Sequence, residues 1–122
     1  MNVLVEATGK TPHIYEENGD LCIWGVIIPE NPTEIFAKLN NIVSTKYTEK
    51  HNLKIHFSLG YFNTSSAKFL YNFFKRLKGN EGITIVWHYE PDDEDILDSG
   101  KELEEISGLK FEYADYLLDV SK

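Results

Sequence analysis

The chain has one cysteine, Cys22. That excludes an internal disulfide and a cysteine-rich zinc site. Its position in an apolar run points to a small buried residue. No stretch approaches the ~18 consecutive apolar residues of a membrane-spanning helix. The opening residues, MNVLVEATGK, lack the basic start and long apolar region of a signal peptide, so a cytoplasmic protein is expected. Basic residues are scarce: 12 Lys and Arg stand against 20 Asp and Glu, for a net charge of -8. That balance argues against nucleic-acid partners, whose non-specific binding depends on basic surface. It equally disfavours docking on anionic lipid. Repeats, low-complexity tracts and long Pro/Gly/Ser linkers are missing too, so residues 1–122 read as a single domain.

Several chemical signatures are also missing. There is no Gly-x-Ser-x-Gly nucleophile elbow. There is no phosphate-cradling Gly-x-x-x-x-Gly-Lys or Gly-x-Gly-x-x-Gly. Nothing in the residues calls for a cofactor, and the reading is a protein that is not an enzyme.

What is present suits a packed core: 42% hydrophobic residues, 13% of the chain aromatic. "HIYEENGDLCIWGVII" reads as a hairpin turning at Asn18-Gly19, a dipeptide suited to positive φ. "PENPTEIFAKLNNIVSTKY" carries a helix start, with Asn31 as cap, Pro32 in the first helical position and Glu34 at box-like spacing. "LKIHFSLGY" alternates: Leu53, Ile55, Phe57, Leu59 and Tyr61 point one way, Lys54, His56, Ser58 and Gly60 the other. A second helix is predicted over 64–78, with Ala67, Leu70, Phe73, Phe74 and Leu77 as its core face. "ITIVWHYE" is a strand, the acidic run 90–95 opens a third helix, and "LKFEY" is a last strand. The assignment of "ADYLLDVSK" stays open. The order β-β-α-β-α-β-α-β implies an α/β mixed sheet, an N-terminal hairpin followed by alternating helices and strands. Because the strands alternate, helices are expected mainly on one face. The other face should be partly open and carry His56, Ser58 and His88.

The start of the second helix is unusual. "YFNTSSAKFLYNFF" offers four capping side chains in a row and no acid in the first turn. At about 100° per residue, Thr64, Lys68, Tyr71 and Lys75 fall opposite the apolar face. Thr64 then sits beside free backbone N–H groups at the positive end of the helix dipole. A phosphate there would add roughly −1.5 to −2 charges, with Lys68 one turn away. Plain capping by Asn63 or by the hydroxyl of Ser65 or Ser66 is the ordinary alternative.

The run Glu90-Pro91-Asp92-Asp93-Glu94-Asp95 admits three readings. It can be a divalent-metal site, although the spacing of a calcium loop is missing. It can be a helix start whose acids complement the dipole. It can also be an acidic docking patch, through Asp92, Asp93, Glu94 and Asp95, near the Thr64 stripe. Loops after parallel strands gather at one sheet edge. His56 and His88 occupy comparable positions on two strands. They suggest metal or acid–base chemistry, or a small-molecule site on the open face; hydrogen-bonded sheet histidines are the ordinary alternative. The alternative function class is therefore a metal-dependent enzyme or metal-using phosphoacceptor built on Asp92 and Asp93. Phe69, at the edge of its helix's apolar arc, is core fringe or part of a partner surface.

"YFNTSSAK" between a strand and a helix, followed by "WHYEPDDEDILDSGKE" after the next strand, resembles the SiaC family of bacterial regulatory phosphoproteins. "TPHIYEENGDLCIWGVIIPENP" fits the same pattern, and the likeness covers roughly residues 6–112. The resemblance implies a STAS-like fold of the anti-sigma-factor-antagonist type. It implies phosphorylation of Thr64, with Ser65 and Ser66 as fallbacks, by a partner protein kinase, and dephosphorylation by a PP2C-type phosphatase. It further implies a surface through Asn63, Lys68, Tyr71 and Lys75 that binds an effector. In some family members that effector is a diguanylate cyclase controlling cyclic-di-GMP and biofilm or aggregate growth.

Overall fold

The computed structural model describes residues 1–121. Its elements run β1 (Asn2–Val5), β2 (His13–Glu17), β3 (Asp20–Ile27), α1 (Thr33–Lys50), β4 (Leu53–Phe62), α2 (Thr64–Leu77), β5 (Ile83–His88), α3 (Glu94–Ser107) and β6 (Lys110–Ala114). The six strands form one sheet in the order β1-β2-β3-β4-β5-β6. The first two pairings are antiparallel and the next three parallel. A sheet that grows one parallel neighbour at a time through right-handed crossovers puts every crossover helix on the same face. The core confirms this. Ile35, Phe36, Leu39 and Val43 of α1 join Leu70, Phe73, Phe74 and Leu77 of α2 and Ile96 and Leu103 of α3 in one cluster. Ile23, Ile55, Phe57, Ile85 and Trp87 meet them from the sheet.

Helix ends follow local chemistry. Asn18, at φ 55°, and Gly19, at φ 84°, make the tight turn of the β2–β3 hairpin. At α1 the cap differs from the sequence expectation. Pro32 occupies the N-cap position, without a side-chain cap bond, and Asn31 Oδ1 instead accepts from Thr33 N at 3.3 Å. Glu34 turns outward to Lys38 at 3.4 Å.

Three further expectations are corrected. The N-terminal residues form β1, an edge strand the sequence pattern did not suggest. Tyr61 does not share the inward face of β4. The β3–β4 register runs Gly25 to Leu59 and then Val26 to Tyr61, leaving Gly60 as an extra residue. This bulge reverses the pleat, so Tyr61 is exposed and Phe62 packs against the core. Finally, the second sheet face is not open at His56, Ser58 and His88. Residues 115–121, the ambiguous tail, cross it. Leu118 N donates to Ser58 Oγ (2.8 Å), Trp24 Nε1 donates to Leu118 O (3.1 Å), and His88 Nδ1 lies 3.0 Å from Tyr116 O. His88 is 1% exposed. No described helix is long and apolar enough to cross a membrane.

Candidate functional site

The start of α2 is built by Asn63. Its backbone N–H donates to Ile27 O (3.2 Å), and its side-chain amide donates to Ile28 O (3.0 Å) and Pro29 O (3.3 Å). Its Oδ1 accepts from Ser66 N at 2.9 Å, and its backbone carbonyl accepts from Ala67 N at 2.9 Å. One side chain thus caps the helix and ties it to the exit of β3. With the amides of Ser66 and Ala67 engaged, those of Thr64 and Ser65 are the ones left without intrahelical partners.

The three hydroxyl positions divide by exposure. Thr64 is exposed, Ser65 half-buried and Ser66 fully buried, with its Oγ unpaired. Lys68, Tyr71 and Lys75 are exposed, and the Lys75 ammonium stands 5.8 Å from the centre of the Tyr71 ring. The stripe drawn from the helical wheel is therefore a real surface. It carries no acid in the first turn of α2.

That surface borders an open groove of about 820 Å³ between α2 and α3. Phe62, Thr64, Lys68 and Tyr71 line one side; Ser99, Glu102, Glu105 and Ile106 line the other. Sequence reasoning missed Glu102 and Glu105 here. Their signal was available: Ser99, Glu102, Glu105 and Ile106 recur at helical spacing on one face of α3. What it lacked was the knowledge that α3 packs beside α2.

The acidic run lies at the start of α3 and does not line this groove. Asp93 is the N-cap, its Oδ1 accepting from Ile96 N at 3.1 Å, and Glu94 and Asp95 occupy the first turn. Asp92 is exposed beside them. This matches the dipole-complementing reading. Among the described residues, no three His, Cys, Asp or Glu side chains gather to hold a metal ion. His56 and His88 do come together, Nδ1 to Nε2 at 2.9 Å, with His56 Nε2 also 2.8 Å from Asp20 Oδ2. Burial and the nearby His56 depress the His88 imidazole to about 4, the hydrogen bond to Tyr116 O opposing them only in part. The tail occupies the space over the pair where a small-molecule site was considered. Phe69 packs partly buried against the core, its ring 5.4 Å from Phe36, which fits core fringe.

Three comparisons bear on these features. No curated protein matches the chain. The fold matches a chain of the crystal structure of diguanylate cyclase SiaD in complex with its activator SiaC from Pseudomonas aeruginosa. The TM-score is 0.79 at 25% identity, over 90% of this chain and 96% of that one. It also matches the crystal structure of apo-SiaC from Pseudomonas aeruginosa, with TM-score 0.77 at 25% identity, over 93% of this chain and 99% of that one. The family model described as SiaC family regulatory phosphoprotein matches residues 5–116, which takes in the capped α2 start, the groove and the α3 start. On that span and that fold, the chain belongs to the SiaC family of regulatory phosphoproteins.

Proposed function

We propose that this protein is a bacterial signalling switch in which Thr64 is the phosphoacceptor and the α2 surface docks an effector. It acts by binding and not by catalysis. The observation that carries this reading is the division of labour at the α2 start. Asn63 does the capping, so the exposed Thr64 hydroxyl is not needed for it, and the first turn holds no fixed negative charge. A phosphate on Thr64 would meet two unpaired N–H groups, the positive helix end and Lys68 one turn on. It would share the groove with Glu102 and Glu105, whose carboxylates oppose added negative charge. The modification therefore changes the charge balance of the groove without refolding the protein.

The effector is a diguanylate cyclase. Support comes from the family and from the likeness to the complex of SiaD with its activator SiaC. Unmodified Thr64, with Lys68, Tyr71 and Lys75, contacts the cyclase; phosphate adds charge and bulk at the centre of that contact and rejects it. A partner protein kinase adds the phosphate and a PP2C-type phosphatase removes it. Asp92 to Asp95 form an acidic patch at the neighbouring helix start, available to dock one of these enzymes.

The test is incubation of wild-type, Thr64→Ala, Ser65→Ala and Ser66→Ala proteins with the cognate kinase and ATP. Intact mass should show one phosphate on all except Thr64→Ala. Full phosphorylation of Thr64→Ala would sink the assignment. Phosphorylated wild-type protein should then bind the cyclase at least about tenfold more weakly than the unmodified form, the effect of one misplaced charge at an interface.

A further inference from the structure

The second sheet face holds a linear hydrogen-bonded chain that the phosphoswitch does not use. It runs from Asp20 Oδ2 to His56 Nε2 (2.8 Å), from His56 Nδ1 to His88 Nε2 (2.9 Å), and from His88 Nδ1 to Tyr116 O (3.0 Å). Both ends are acceptors: a carboxylate at one, a backbone carbonyl at the other. Three contacts need three protons. Two neutral imidazoles carry two. The geometry is satisfied when His56 is protonated on both nitrogens and paired with Asp20, while His88 is neutral and donates Nδ1–H to Tyr116. With two protons, one contact becomes two lone pairs facing each other. With four, two N–H groups meet between the rings.

We propose that the C-terminal segment 115–121 is a proton-gated strap, latched over the sheet when the His56–His88 pair holds three protons and released when it holds two. The latch reaches the strap at Tyr116, and Leu118 adds two more polar anchors, its N–H donating to Ser58 Oγ and its carbonyl accepting from Trp24 Nε1. Loss of the third proton turns His88 Nδ1 from donor to lone pair, so Tyr116 O loses its donor. The defect avoids His56 Nε2, where a lone pair would face the Asp20 carboxylate. Release frees the Trp24 indole and uncovers Ser58 and His88, which the strap contacts and which are buried on this face.

The other charged and titratable groups on this face do not supply the missing proton. Strand alternation places His13, Tyr15 and Glu17 of β2 on it, with Asp20 and Cys22 of β3, Lys54 of β4, and Lys110 and Glu112 of β6. Lys54 and Lys110 pair with Glu112 at 3.8 and 3.7 Å. Burial raises the Cys22 thiol to about 11 and the Tyr15 phenol higher still, so both stay protonated through the working range. The strap itself adds Asp115, Tyr116 and Asp119.

The experiment uses the full chain and NMR from about pH 5 to about pH 9, the range in which histidine switches act. Ring nitrogen shifts should show His56 protonated on both nitrogens and His88 as the Nδ1–H tautomer while the strap is latched. As pH rises and the pair passes from three protons to two, exchange of the Trp24 indole and Leu118 amide, corrected for its intrinsic pH dependence, should accelerate together by about tenfold. Asp20→Asn is the sharper variant. Its carboxamide N–H donates to His56 Nε2 and supplies the third proton, so the strap stays latched where the wild type releases it. Three results overturn the proposal. One is a singly protonated His56 under a protected strap. Another is protection that stays flat while the pair loses its third proton. The third is a folded Asp20→Asn protein that keeps the wild-type step. Should Asp20→Asn fail to fold, the wild-type profile decides by itself.

Discussion

The two faces of the sheet are held by different physics. The helix-side face is aromatic and dry. Phe57, Phe73, Phe74, Trp87 and Phe111 pack ring against ring, with centroids between 5.1 and 6.4 Å apart. Such contacts are non-directional and collectively large. The tail-side face is held by directional bonds to a short segment, through Ser58, Trp24 and His88. Each of those contributes about 1 kcal/mol net. The first face makes the fold; the second can open without unfolding it.

Breaking the helix side should cost most. Phe74→Ala removes a fully buried ring that contacts Phe57, Phe73, Trp87 and Phe111, and should lower stability by about 3–5 kcal/mol in denaturant titration. A loss near 1 kcal/mol would mean that the two faces are energetically alike. Next comes acid. His88 is neutral in the fold down to about 4, against 6.5 unfolded, so the unfolded chain takes up a proton first as pH falls. Stability from this group is complete above pH 6.5 and is lost between 6.5 and about 4, on the order of 3 kcal/mol. The stability difference between wild type and His88→Gln should carry that slope; parallel curves would remove His88 as its source.

Smaller still is Gly100→Ala. A methyl there would overlap the Trp87 indole, which is pinned by Nε1 donating to Ile96 O at 2.8 Å. Overpacking should cost about 1–3 kcal/mol, partly offset by the roughly 1 kcal/mol that alanine gains in a helix. A melting point at or above wild type would show that α3 can lift off Trp87 freely. The smallest effect belongs to the tail. Ser58→Ala leaves Leu118 N without its acceptor and should cost about 1 kcal/mol. It should speed exchange of that amide while the core amides of β4 and β5 stay protected. Global loss of protection would join the two faces into one cooperative unit.

The helix-side face was legible because it repeats. Period two in β4 and β5 and period 3.6 in α2 mark inward residues without any tertiary information. The same wheel that buried Leu70, Phe73 and Phe74 exposed Thr64, Lys68, Tyr71 and Lys75. The tail was illegible for the opposite reason. Its anchors include the backbone groups Tyr116 O, Leu118 O and Leu118 N, which every residue possesses, so "ADYLLDVSK" has no periodic signature. The edge strand β1 depends on a partner distant in sequence, and the shift of the α1 cap from Asn31 to Pro32 is a one-residue difference that the pattern does not resolve. Glu102 and Glu105 became relevant only when α3 was seen beside α2. Half of the groove was thus readable, and the half that faces it was not.

The unpaired Gly60 carries a consequence for length. A strand reverses its side chains at each residue, so one extra residue decides the parity with which the chain leaves the sheet. With the bulge in place, Phe62 turns inward and Asn63 meets the carbonyls of Ile27, Ile28 and Pro29. Shortened by one, the same sequence would present Tyr61 and Phe62 to exchanged sides, and the cap would miss its partners. The junction between β4 and α2 therefore behaves as a counted segment, in which residue number matters as much as residue type. Substitutions should drift there more freely than insertions or deletions, and a single-residue change in length should displace Thr64 from its place at the helix start while leaving every side chain of α2 intact.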